Sequence, residues 1–209
     1  MSRSLSFLAV LVCAILVSFM LATNAQDNGS LSIQDHYLLH VDCLNLLNEQ
    51  ISWELYASIV YLNMAAYFDR PSVARNGYAK YFRDQSQEEY DHAGKFIDFI
   101  NSRNGTVKRI SVDESPKNEW SSPREALSDA IKLEKHVYAK IQYIHDVADQ
   151  KCQDSHLTDF LESYFFTEQV ESIQELQTML TKVDVADPSA ATVITHITDE
   201  RLKKGKKDN

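Results

Sequence analysis

The segment QEEYDHAGKF, residues 87–96, sets Glu89 and His92 three positions apart, on one face of any helix it forms. Phe82, Gln85, Glu89, His92, Phe96 and Phe99 follow at alternating steps of 3 and 4, the period of a helix face turned to a packed interior. Three further stripes have the same period. They are Leu47, Ile51, Glu54, Ser58, Tyr61, Ala65; then Leu127, Ile131, Glu134, Tyr138, Ile141; then Phe165, Gln169, Ser172, Leu176, Met179. Each carries a polar group about midway: Glu54, Glu89 with His92, Glu134 and Gln169. One such residue is explained by a mis-phased stripe; a coincident set on four stripes is not. A buried carboxylate costs on the order of several kcal/mol unless something compensates it.

Lysine or arginine is the usual compensator, yet residues 31–69 and 154–181 contain neither. Lys80, Arg83, Lys95, Lys132, Lys135 and Lys140 lie off the inward stripes. Three carboxylates and an imidazole without a protein cation imply a metal. Oxygen ligands with one nitrogen suit iron or manganese, with zinc as a competitor. Glu89 can bridge two ions while His92 caps one of them; Glu54 completes the first site and Glu134 serves the second.

These side chains need long helices to carry them. No glycine or proline interrupts residues 35–69, and Pro71 follows, so the first helix spans about Asp35 to Asp69. A second runs from about Val73 into the stretch NSRNGT at 101–106, with Gly77 near its start. A long connection covers roughly residues 102–121. Ser122-Pro-Arg-Glu125 is a capping box with proline at the first helical position, and the third helix lasts to about Gln150. Asp154 or Ser155 caps a fourth that reaches about Asp184. Asp187-Pro188 opens a short fifth, and a basic tail, 202–209, follows. The pattern is all-α: a four-helix bundle whose long connection makes the second and third helices parallel.

The start of the chain is a different kind of segment. Arg3, the apolar run at 7–22 and the small residues Thr23 and Ala25 read as a signal peptide, residues 1–25, with an uncleaved anchor as the alternative. Removing 25 of 209 residues leaves 184, enough for one domain. Residues 26–34 are an extension and 35–201 the bundle domain. Only Arg3 is lost among charged residues, so 20 Lys and Arg face 30 Asp and Glu, a net of −10. Such a chain suits attraction of cations and disfavours nucleic acid. No other segment is built to span a membrane. Asn28-Gly-Ser and Asn104-Gly-Thr are glycosylation sequons, in keeping with secretion.

Cys43 and Cys152 remain after the signal is removed. In the bundle topology the third helix finishes at the end where the first begins. Cys43 near the start of the first and Cys152 after the third are then neighbours, and an oxidising compartment predicts a disulfide. Two buried thiols or bridges between subunits are the alternatives.

WELYASIVYLNMAAYFDR, YAKYFRDQSQEEYDHAGKF, LEKHV and TEQV resemble a ferritin of the catalytic heavy-chain type, over about residues 35–184. The resemblance implies ferroxidase ligands at Glu54, Glu89, His92 and Glu134, with Gln169 hydrogen-bonding beside them and Tyr61 behind them. It implies that Glu88 faces the cavity and helps iron leave, and that Asp159 and Glu162 line three-fold entry channels. It implies that two Fe(II) are oxidised by dioxygen about 3.5–4 Å apart on a shared carboxylate. Ferric mineral would then be stored in a hollow 24-subunit shell, of one chain type or mixed with a second. One feature departs from the general carboxylate-bundle pattern, and two matches to the ferritin family are imperfect. Gln169-x-x-Ser172 stands where carboxylate bundles carry a second Glu-x-x-His, which leaves one site ligand-poor and suits iron passing through as substrate. Of the cavity-surface positions Glu88, Asp91 and Gly94, the last cannot bind metal. The fifth helix matches poorly, with His196 as its candidate channel residue. A secreted helical cytokine is the rival from another class, and it has no need of unpaired inward carboxylates. A di-iron oxidase with retained cofactor is the runner-up among iron proteins.

Overall fold

In a computed structural model, residues 37–184 and 188–205 are described, the last segment's first two by backbone alone. The signal segment, the 26–34 extension, the Asn28 sequon, Asp187 and the tail past Gly205 lie outside the described residues. Helices α1 (Val41–Phe68), α2 (Asn76–Ser102) and α3 (Pro123–Val147) are followed by a π-helical turn, Ala148–Cys152. The fourth rod is α4 (Ser155–Leu161), a π-helical stretch Glu162–Phe166 and α5 (Thr167–Asp184); α6 is Pro188–Lys203. The architecture is the expected four-helix bundle with a fifth helix, with no strand among the described residues. None of these helices is long and apolar enough to cross a membrane.

Two helix starts fall later than the sequence suggests. His40 caps α1, its Nδ1 accepting from the Asp42 amide at 3.2 Å, so the helix begins at Val41 rather than Asp35. Ala74 adopts φ 50°, a left-handed conformation that no right-handed helix contains, so α2 begins at Asn76 rather than Val73. Arg75 supplies no side-chain cap. Asp199 of α6 does so instead, its Oδ1 accepting from the amides of Gly77 at 2.8 Å and Tyr78 at 3.1 Å. Gly77 is required there, because a Cβ would lie 1.8 Å from the Asp199 carbonyl oxygen.

The long connection is tied down along its course. Asn48 donates to the Thr106 carbonyl at 3.2 Å and accepts from the Lys108 amide at 2.6 Å. Trp120 is buried with its ring 5.8 Å from that of Tyr67, so α3 starts at the end where α1 finishes. Ser122 Oγ caps the Glu125 amide as expected, at 3.3 Å. Glu125 reaches back to the amide and hydroxyl of Ser121, one residue earlier than a strict capping box. At the other end Cys43 and Cys152 form a disulfide, with Cα atoms 6.6 Å apart. Arg103 at the end of α2 makes two bonds to Asp154, at 2.9 and 3.1 Å, and Asp154 in turn caps α4.

The core divides into two apolar clusters. One gathers Met64, Phe68, Tyr78, Phe82, Leu127 and Met179; the other Leu47, Ile51, Phe96, Ile141, Leu161 and Phe165. Burying each such side chain contributes about 1.5–3 kcal/mol. Along α2 the first cluster stops at Phe82 and the second resumes at Ala93; along α3 the break lies between Ile131 and Val137. Glu89, His92 and Glu134 fall in those breaks.

Candidate metal centre

Glu54 on α1 and Glu89 and His92 on α2 bring one ligand atom each to within 4.8 Å of one another. With Glu134 on α3 and Gln169 on α5 they form a polar layer in which no residue is more than 3% exposed. Long packed helices place them there, between the two apolar clusters of the core. Gln50 Nε2 donates to Glu54 Oε1 at 2.7 Å. Glu54 Oε2, Glu89 Oε2, His92 Nδ1 and Gln169 Oε1 are buried without a hydrogen-bond partner. Such atoms are costly and uncommon unless a ligand satisfies them. Carboxylate oxygens with one imidazole nitrogen fit a divalent first-row cation.

Glu134 sits differently. The Tyr61 hydroxyl donates to its Oε1, and Gln169 Nε2 donates to its Oε2 at 3.3 Å. It lies in the layer with both oxygens engaged, outside the Glu54–Glu89–His92 trio. Ser172 is half-buried.

A second trio stands on the other side of the imidazole. Glu88, His92 and Glu168 also bring ligand atoms within 4.8 Å of one another. His92 Nδ1 lies 3.6 Å from Glu89 Oε2, and its Nε2 3.6 Å from Glu168 Oε2. Glu88 is half-buried and accepts from Gln85 Nε2 at 2.9 Å. Sequence reasoning missed Glu168. It follows Phe165 by 3, at the edge of the inward face, whereas the stripe continues through Gln169, at the step of 4. Glu168 is half-buried on the flank of that face, where the period marks the fully buried Gln169. The available signal was a carboxylate next to an inward Gln.

Burial pushes the carboxyls of Glu54 and Glu89 well above the usual range, reinforced by the charge of Glu89 on Glu54 and of Glu134 on Glu89. Burial raises Glu134 to about 7 despite the hydrogen bond from Tyr61. Glu168 also rises to about 7 through burial, opposed by His92. Burial, then Glu134, pushes the Tyr61 hydroxyl up. The charged groups acting most strongly on the three buried layer carboxylates are other carboxylates and His92, with no lysine or arginine among them. Burial thus favours the protonated carboxyls in the metal-free layer, and a bound cation, which needs deprotonated ligands, competes with those protons.

The remaining candidates lie elsewhere. Asp159 and Glu162 are exposed at the start of the fourth rod, outside both trios, with Glu162 Oε1 2.7 Å from His145 Nε2 on α3. Asp91 is exposed and bonded by Gln87 at 2.9 Å. A Cβ on Gly94 would meet open space, so only the missing side chain removes a ligand there. His196 is exposed on α6, and Asn104 is exposed in the turn after α2 with φ 51°.

Comparison with known proteins places the bundle in a family. The ferritin-like domain family matches residues 44–186. The chain is 42% identical over 144 residues to the ferritin lower subunit of Aquarana catesbeiana, covering 69% of this chain and 83% of that protein. It is 40% identical over 148 residues to the ferritin middle subunit of Salmo salar, covering 69% and 84%.

Proposed function

Given that the chain belongs to the ferritin family, we propose that it is an iron-storage subunit with ferroxidase activity, of the catalytic heavy-chain type. The observation that carries this reading is the convergence of buried, unpartnered Glu54 Oε2, Glu89 Oε2 and His92 Nδ1. Fe(II) is the substrate. The first ion is held by Glu54, Glu89 and His92. Glu134 receives the second, which has to displace the Gln169 amide or the Tyr61 hydroxyl from its carboxylate. Two Fe(II) give one electron each to dioxygen, which takes up two protons and leaves as hydrogen peroxide. The Fe(III) is hydrolysed with release of protons and deposited as mineral inside a shell of subunits, of one chain type or two.

The protein's part is to fix the ligands in a dry layer and to hand over protons as metal enters. Tyr61 holds Glu134 ready, and Gln169 supports it. Glu88 and Glu168, sharing His92 with the centre, suit a path by which iron leaves. Asp159 and Glu162 are exposed carboxylates suited to drawing cations in. Secretion behind a cleaved 1–25 signal and glycosylation at Asn28 and Asn104 belong to the same reading.

The test is the double variant Glu89→Ala with His92→Ala. Rapid Fe(II) oxidation by the assembled protein is expected to disappear while the helical content remains, since the change removes costly buried polarity. Oxidation at the parent rate would falsify the assignment.

A further inference from the structure

Gln50 lies one turn before Glu54 on the inner face of α1 and is 1% exposed. A primary amide at such a depth, beside Leu47 and Ile51, is costly unless its groups are used. Its Nε2 donates to Glu54 Oε1 at 2.7 Å. The other oxygen of the same carboxylate, Oε2, is buried with no partner. The two oxygens of Glu54 are therefore inequivalent before any ion arrives. Glu134 offers the contrast, because both of its oxygens accept hydrogen bonds.

We propose that Gln50 is a positioning residue of the metal centre, holding Glu54 Oε1 so that Glu54 meets an ion through Oε2 alone. A carboxylate with both oxygens free can chelate one ion and fill two of its coordination positions. With one oxygen tied to an amide it fills a single position and leaves another for an incoming ligand. The amide suits this task, since it donates without competing for the cation. Partners of metal ligands fix ligand orientation, and their loss weakens metal affinity by about 10–100-fold. The inference rests on the metal-binding reading above.

Gln50→Met keeps the volume and removes the donor. The probe is Co(II), titrated into the assembled protein and followed by its visible d–d absorption and by calorimetry. About tenfold or greater weakening of the first Co(II) is expected, with a changed band intensity as the coordination number changes. Gln50→Asn, whose amide is one methylene too short, is expected to behave alike and serves if the Met variant does not fold. Neither effect is expected in a Glu54→Ala background, where no carboxylate remains to be held. Parent-like affinity and spectrum in the Gln50 variants overturn the proposal, as does an equal loss with Glu54 absent. Failure of the parent to bind Co(II) overturns the metal reading itself, and this inference with it.

Discussion

Glu134 shows how a single side chain couples protons, stability and metal. Its carboxyl ionises near 4.5 in an ordinary setting and near 7 in the folded chain. Between those values the folded state binds the extra proton, so raising the pH favours unfolding. This contribution to metal-free stability is complete below about 4.5 and is lost as pH rises through about 7. Melting curves in chelator, taken from roughly pH 5 to pH 8, should therefore fall with pH, and Glu134→Gln should flatten the fall. Identical slopes in parent and variant would remove Glu134 from the account. A divalent ion acts in the opposite sense, because it needs the ligands deprotonated: the rise in melting temperature on adding Co(II) should grow over the same range. Periodicity picked out Glu54, Glu89, His92, Glu134 and Gln169 because each interrupts an apolar stripe. Glu168 escapes that signal because it lies half-buried beside the fully buried Gln169, on the flank of the stripe.

Among elements, α6 is the one whose role the amino-acid pattern conceals. Its polar, β-branched composition gives little sign of packing, yet Asp199 is buried and caps α2 from 122 positions away. Asp199→Ala should cost about 1–2 kcal/mol, the worth of a lost N-cap. Gly77→Ala should cost about 1–3 kcal/mol through crowding, since its Cβ would collide with backbone rather than with a movable side chain. Thermal unfolding reads the loss, and amide exchange should show it concentrated in α6 and the first turn of α2. Loss of protection spread evenly over the bundle would count against a docking role. The starts of α1 and α2 belong to the same lesson. A histidine cap and a left-handed alanine decide them, and neither residue type advertises that use.

For the whole molecule, the disulfide is the largest single constraint outside the core. Cys43 and Cys152 are 109 residues apart, and closing so long a loop stabilises by about 4–5 kcal/mol in the chain-entropy model. Cys43→Ser with Cys152→Ser should lower stability by that order while leaving Co(II) binding at the Glu54–Glu89–His92 trio intact, because the bond lies at one end of the bundle. Denaturant unfolding of parent and double variant checks this. Equal midpoints, or the same midpoint for parent protein with and without reductant, would show that the bond does not form or does not matter.

The sequence by itself determined the four-rod bundle, the inward phase of each long helix, the buried acidic layer and the placing of both cysteines at one end, while the structure decided that they bond to each other. Those features follow from local rules: apolar period, capping chemistry, and a topology dictated by one long connection. Only the tertiary structure decided which atoms of that layer are already engaged. Glu134 is held at both oxygens, Glu54 at one, and His92 turns a nitrogen to each of two carboxylate groups. Side-chain partners across a helix interface depend on rotation and register between rods to within about an ångström. Helical periodicity locates a residue only to a face and a turn, which is too coarse to settle a hydrogen bond.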